Sequence, residues 1–441
     1  MRLRSGPPSA RRNTEFGLLV MVGIITVSAY TLLSLGKDAV VPPNVGGFLL
    51  VVLAVLLGAH LVTRRLAPRA NATLLPLAGF LNGIGFVFIA RVDEKLAWQQ
   101  AVWTVVGVGV YCGTLAVVKQ ARDLDRYRWT LALVGVFLLM LPLAPGIGTA
   151  FGSSSRIWVS IGPISFQPGE GAKIALAVFF ASYLVEKREL LAFGSRRIGP
   201  VHLPELRHFG PVLLACGLAL IVLVYQKDLG SSLLFFALFL VTLWVATQRA
   251  SYLAVGMSLF GLGAVFCWKF VGVVQDRVDN WLDPWADSAG GGFQLLQFHY
   301  FMADGGVAGT GMGLSGSMTN LYAAESDFIF AVIAGELGIP GALAVITAFV
   351  LIVGAGLRIA EEATNPFNKL LAVGLTTLMG VQAFVIMAGV TRLLPLTGVT
   401  LPFVSQGGTS LVANYVLLAL LARISDETVH EPVSTTHMVP V

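Results

Sequence analysis

Residues 229–248 read LGSSLLFFALFLVTLWVATQ, a run without a charged side chain and dense in Leu, Phe and Val. At about 1.5 Å of rise per residue, a run of that length makes a helix about 30 Å long, the thickness of a bilayer's hydrocarbon core. The run shows no period-2 alternation, so it does not read as a strand of a membrane barrel. In lipid each backbone N–H and C=O has to be satisfied within its own segment, and a helix is the form that does so here.

Eleven further stretches share this character, at about 16–36, 46–63, 74–91, 97–118, 129–145, 172–186, 209–225, 251–272, 327–357, 370–391 and 402–422. Composition agrees. Of 441 residues, 56% are hydrophobic and 12% charged, half the charge that a soluble domain carries. Mean hydropathy is +0.80. The predicted fold is all-α: a polytopic membrane protein of about twelve helices with one long extracytoplasmic loop, residues 273–326. Residues 1–14 and 424–441 are polar and are expected to be disordered cytoplasmic tails. Residues 15–64 then form a first helix pair, and 65–423 the main membrane domain. The first span lacks a small-residue cleavage pattern at its end and is expected to be retained.

Basic residues set the orientation. Twenty of the 29 Lys and Arg fall on the side of the N-terminus, so the positive-inside rule puts both termini in the cytoplasm. The net charge of +5 is therefore a bilayer-orientation signal and not a nucleic-acid footprint. Cys112, Cys216 and Cys267 lie inside apolar spans without paired spacing, which suits apolar filling better than disulfides or a metal site. The six His are scattered and suggest no metal cluster.

Polar chemistry gathers in a few places. Segment 152–173, GSSSRIWVSIGPISFQPGEGAK, carries Arg156 and then Glu170 and Lys173, which at a spacing of three share one helix face. Asp228, in QKDLGSS (226–232), is a candidate N-cap as well as an ionisable group at a membrane helix end. The outer loop holds Asp276, Arg277, Asp279, Asp283, Asp287 and Asp304. Asp287 stands apart because it lies between Trp285 and Gly290, Gly291 and Gly292: a ring that can stack on a sugar and a backbone that can approach a substrate. A carboxylate so placed suits general-base work on a hydroxyl. Glu336 is about 15 Å into its span and needs a partner, either an outer-side cation or a neutral hydrogen-bonding group. In RLLPLTGVTLPFVSQGGTS (392–410), Pro395, Pro402, Gly407 and Gly408 interrupt the start of the last span, and broken helices expose N–H groups that bind anions.

Taken in order, these segments resemble the SEDS family (shape, elongation, division and sporulation) of bacterial membrane proteins. FQPGEGAK (166–173) is similar to its FQPSE-x-AK, QKDLGSS to QPDLGT, ESDFIFAVIAGELG (325–338) to TDFIFA-x-x-x-EELG, and 392–410 to LP-x-TG-x-x-LPF-x-SYGGSS. Gln100 and Trp103 resemble its Q-x-x-W element. QKDLGSS and TGMGLSGS (310–317) look more like the elongation (RodA) type than the division (FtsW) type. The family has ten helices, so the spans before residue 64 look like an added pair.

The resemblance implies a peptidoglycan glycosyltransferase that polymerises lipid II at the outer face of the bacterial cytoplasmic membrane, with a class B penicillin-binding protein as partner. It maps the family's essential loop aspartate onto Asp287. The substrate-binding set is expected to be Arg156, Glu170, Lys173, Asp228, Arg277, Asp283, Gln294, Glu336, Arg392, Ser405, Gly407 and Gly408. No cofactor is required, although a divalent cation, Mg or Mn, would help an acidic loop accept an anionic substrate. Ser288, Phe298, Ala323, Ala324 and Gln406 depart from the family pattern, and none of these changes removes an ionisable group that the expected site uses. A lipid II flippase and a non-catalytic scaffold for the penicillin-binding protein are the alternative readings; the absence of an evident internal repeat and the outer position of the polar motifs speak against transport.

Overall fold

The computed structural model describes residues 8–40, 45–144, 148–149, 156–162, 164–192, 196–198, 201–203, 216–218, 220–222, 224–315 and 323–428. The chain is helical, with α1 Pro8–Asp38, α2 Val45–Leu66, α3 Leu74–Val92, α4 Glu94–Val117, α5 Arg128–Met140 and α6 Pro168–Ala192 in its first half. Helices α7 Leu229–Thr247, α8 Ala250–Phe270, α9 Gly272–Leu282, α10 Phe293–Gly305, α11 Ile329–Glu362, α12 Pro366–Val390 and α13 Gly408–Thr428 follow. Among the described residues, nine helices are long and apolar enough to cross a membrane. The expected span at 209–225 falls largely outside them. Two short antiparallel ribbons, β1–β2–β3 (148–166) and β4–β5 (196–203), decorate the loops.

Helices α3, α12 and α13 are the most buried. Around them α13 packs along α4, α12 lies against α11, α7 and α6, and α1 leans on α3 and α2. Small residues allow the close approaches, as is usual where lipid offers no hydrophobic drive between helices. A Cβ on Gly85 of α3, for example, would collide with the backbone of Val404.

Several expected boundaries shift. Helix α1 begins at Pro8, inside the segment expected as a tail, because its first turns are tied down: Arg12 and Glu15 are buried, Glu15 Oε1 is 2.8 Å from His60 Nδ1, and Arg12 donates to the carbonyl of Ala70. At the other end α13 continues to Thr428, past residue 423. There the Arg423 guanidinium donates to Val118 O at 2.7 Å and Leu66 O at 2.6 Å, while Asp426 accepts from Arg69 N at 2.7 Å. Residues 1–7 and 429–441 lie outside the described set.

The long outer loop is also more ordered than its polarity suggests, since it holds α9 and α10. Helix α11 is broken at Gly338, whose φ of 66° suits glycine, and Pro340 follows. Outer-loop residues occupy the break: Ile339 N donates to Val307 O at 3.1 Å, and Gly311 N to Glu336 O at 3.0 Å. Glu336 therefore sits at the end of a short first segment, in contact with the outer loop, and not at mid-span on a continuous helix.

Candidate active site

Asp287 lies on an exposed turn between α9 and α10. Its Oδ2 accepts from Gly291 N at 2.7 Å, and its carbonyl accepts from Gly292 N at 3.0 Å and Gly290 N at 3.2 Å. The three glycines are required by the tightness of this turn. A Cβ on Gly290 would meet the Asp287 carboxylate, one on Gly291 the Asn280 amide, and one on Gly292 the carbonyl of Pro284. The carboxylate is thus held from one side by a backbone donor while the side chain stays open to solvent. Asp283, also exposed, accepts from Trp285 N at 3.2 Å and shapes the start of the same turn. Gln294 is half-buried in the first turn of α10.

Arg392 clamps this turn to the segment before α13. Its Nε donates to Trp281 O at 2.8 Å and its Nη2 to Leu282 O at 2.6 Å. Those carbonyls belong to the last turn of α9, where intrahelical donors have run out. The guanidinium also lies 4.9 Å from the centre of the Trp285 ring, and Trp281 Nε1 returns a bond to Arg392 O at 3.0 Å. Two residues from Asp287, the Trp285 ring is therefore covered by a cation on one face.

A second polar cluster joins α6, α7 and α9. Lys173 Nζ is 2.8 Å from Glu170 Oε2 and 2.9 Å from Gln382 Oε1, with both ions buried. Asp228 caps α7 by accepting from Ser231 N at 3.0 Å; its burial raises its pKa, and the nearby Lys173 lowers it. Arg277, on α9, donates to Thr397 O at 3.0 Å, and its burial weakens the proton affinity that Asp228 and Asp327 support. Asp327, in the turn before α11, is pushed up to about 6 by burial against the pull of Ser326 and Arg277. Gly398 sits between the two: a Cβ there would lie 3.8 Å from Arg277 Nη2 and 3.9 Å from Asp327 Oδ2. Glu170 and Lys173 pair with each other, and both charges are close enough to act on Asp228 electrostatically.

Glu336 has its partner in Arg91, which the sequence reading did not single out. Arg91 Nε is 2.8 Å from Glu336 Oε1, Ser315 Oγ donates to the same oxygen at 2.6 Å, and Gly313 N donates to Oε2 at 2.9 Å. Arg91 Nη2 bonds Ser315 O at 2.7 Å. Both carboxylate oxygens are engaged by protein donors, and the network fastens loop 306–315 to the kink in α11. The signal for Arg91 was its place as a cation at the outer end of an apolar span.

Ser405, Gly407 and Gly408 serve internal packing. Ser405 Oγ donates to Ser326 O at 2.6 Å and accepts from Leu401 N at 2.8 Å. A Cβ on Gly407 would press on Thr400 at 3.3 Å, and one on Gly408 would collide with the Trp103 indole. Arg156 is exposed, two residues before the strand Trp158–Ile161.

Residues 72–430 match the model of the cell cycle protein family that takes in FtsW, RodA and SpoVE. A protein named peptidoglycan glycosyltransferase RodA from Mycobacterium bovis is 38% identical over 429 residues, covering 95% of this chain and 91% of that protein. Its namesake from Mycobacterium leprae is 38% identical over 441 residues, covering 98% and 94%. A probable peptidoglycan glycosyltransferase FtsW from Geobacter sulfurreducens is 34% identical over 344 residues, covering 77% and 86%. Among solved structures, the rod shape determining protein RodA of Thermus thermophilus superposes with a TM-score of 0.58 at 23% identity, over 81% of this chain and 96% of that one. A chain from a structure titled "Structural coordination of polymerization and crosslinking by a peptidoglycan synthase complex" gives a TM-score of 0.67 at 23% identity, over 82% and 99%.

Proposed function

The chain belongs to the FtsW, RodA and SpoVE family of cell cycle proteins and is a multi-pass membrane peptidoglycan glycosyltransferase of the RodA type; from that premise we propose that it polymerises lipid II with Asp287 as general base. The observation that carries the reading is the Asp287 turn, with a carboxylate anchored by Gly291 N and open to solvent, two residues from Trp285. In this reading Asp287 takes the proton from the acceptor's 4-hydroxyl, which attacks the anomeric carbon of the growing strand's terminal sugar. The bond to the undecaprenyl pyrophosphate breaks with inversion, and the pyrophosphate leaves.

Arg392 is the cation best placed to meet that leaving charge, because it already lies over Trp285. Arg277 is engaged by Thr397 O and Lys173 by Glu170 and Gln382, so they act by fixing α9 to the segment before α13 and α6 to α12. Exposed Arg156 is a further candidate for the pyrophosphate. Among the described residues no three His, Cys, Asp or Glu side chains come together to hold a metal ion. A magnesium or manganese ion would then enter on the substrate's pyrophosphate and supply charge neutralisation there.

The twenty-to-nine split of basic residues supports cytoplasmic termini in a bacterial inner membrane, with the Asp287 turn outside. A class B penicillin-binding protein is the proposed partner, cross-linking the strands made here. The purified chain, alone and with that transpeptidase, is to be given fluorescent lipid II. Glycan ladders are the expected product. Transfer of lipid II between leaflets without polymer, or polymer made only when the partner carries its own polymerase domain, would overturn the reading.

A further inference from the structure

A cavity of about 670 Å³ opens between the first helix pair and the main domain, walled by α1–α4 and backed by Tyr415 of α13. None of its lining residues belongs to the Asp287 turn or to the Lys173 cluster. Its polar back wall is internally satisfied: Asn82 Nδ2 donates to Thr104 Oγ1 and Tyr415 OH, both at 3.1 Å. The remaining lining is mainly apolar, as in Val22, Val52, Leu56 and Phe86, with Thr26, Tyr30 and Glu94 as its polar members. Its mouth lies between α2 and α4, where the lining residues Val51, Trp98 and Val105 are each at least half exposed.

Two dimensions identify the occupant. Along α3 the cavity runs from Gly79 to Ala90, about 16 Å at the helical rise. That is the depth of one leaflet, half of a hydrocarbon core about 30 Å thick. With both termini cytoplasmic, the Ala90 end is the outer one. At that rim Glu94 of the lining forms a 3.4 Å ion pair with Lys37, so cation and anion stand side by side. A rim of balanced charge suits a phospholipid headgroup, whereas a polyprenyl pyrophosphate requires surplus cations. We propose that the cavity holds one acyl chain of an outer-leaflet phospholipid, which enters from the bilayer between α2 and α4 and joins the first helix pair to the main domain.

The test uses the full-length protein in nanodiscs of phosphatidylethanolamine and phosphatidylglycerol, doped with a phospholipid bearing a diazirine midway along one acyl chain. Irradiation should label residues 82–86 of α3, which the first helix pair screens from bulk lipid. Ala101→Phe fills the cavity from α4 and should reduce that label by about tenfold or more, the factor that 1.4 kcal/mol represents. Val102→Phe, one residue on and facing lipid, should leave it unchanged. Val52→Phe fills the cavity from the opposite wall and replaces Ala101→Phe if that variant does not fold. A parallel sample carries a diazirine polyprenyl phosphate at equal concentration. Absence of acyl label from 82–86 in the wild type, label insensitive to a filling variant that folds, or preferential labelling by the polyprenyl probe would each overturn the proposal. Because the readout is binding, it stands or falls independently of the polymerisation assay.

Discussion

Replacing Arg91 by Met tests how loop 306–315 is held. Arg91 and Glu336 are 7% and 0% exposed and 2.8 Å apart, so removing the guanidinium leaves a buried carboxylate with only Ser315 and Gly313 as donors. Breaking a buried pair from one side costs about 3–5 kcal/mol. Glu336→Leu, which strands the guanidinium instead, should cost a similar amount. The double variant removes both charges and leaves the Gly313 N–H as the main buried group without a partner, a penalty of about 1–3 kcal/mol. The double variant is therefore expected to be more stable than either single one, far below the additive sum of about 6–10 kcal/mol that independent sites would give. Equilibrium unfolding in mixed micelles of rising SDS fraction measures all three. A single variant within about 1 kcal/mol of wild type, or a double variant equal to the sum, would refute the pairing as the force that holds the loop.

Other perturbations address neighbouring elements. Arg392→Lys keeps the charge but lacks the planar fork that reaches both Trp281 O and Leu282 O; polymerisation is expected to fall by about tenfold with insertion intact, and an unchanged kcat would count against the clamp. Gly408→Ala drives a methyl into the Trp103 indole and should destabilise by about 1–3 kcal/mol, a penalty that a Trp103→Leu background removes if the clash is the cause. Asp327 is held at about 6, above the 3.9 or so of a free aspartate. Between those values the folded protein keeps a proton that the unfolded chain has released, so its stability falls as pH rises through the window. The total is about 3 kcal/mol, flat below and above. Denaturation of wild type and Asp327→Asn across pH 4 to 7 should show that slope in the wild type alone.

Which parts of this were readable from sequence follows from the range of the forces involved. Membrane helices are dictated by local composition, so runs such as 229–248 announce α7 to within a residue of its observed start at Leu229. Helix α9, in VVQDRVDNWL, was missed because it is short and amphipathic, and a criterion of apolar length passes over it. The break at Gly338 was hidden for the opposite reason: the apolar run continues across it, and the outer loop supplies the donors that make the break tolerable. Pairings were legible only when close in sequence. Glu170 and Lys173 share a helix turn, whereas Arg91 and Glu336 are 245 residues apart, and only the packing of α3 against α11 brings them together. Pro395, Pro402, Gly407 and Gly408 announced the interruption before the last span, but not its packing partners: Ser405 donates to Ser326 O and Gly408 lies against the Trp103 indole, contacts that only the fold brings together.

The central claim is that the carboxylate of Asp287, and not merely the shape of its turn, carries the reaction. Asp287→Asn keeps the volume and an acceptor oxygen for the Gly291 N–H, while removing the base. In a purified assay with fluorescent lipid II and the partner transpeptidase, the variant is expected to insert, bind its partner and lose polymerisation by about 10²–10⁴-fold, the usual contribution of a general base. Strands formed at the wild-type rate by Asp287→Asn would contradict the account.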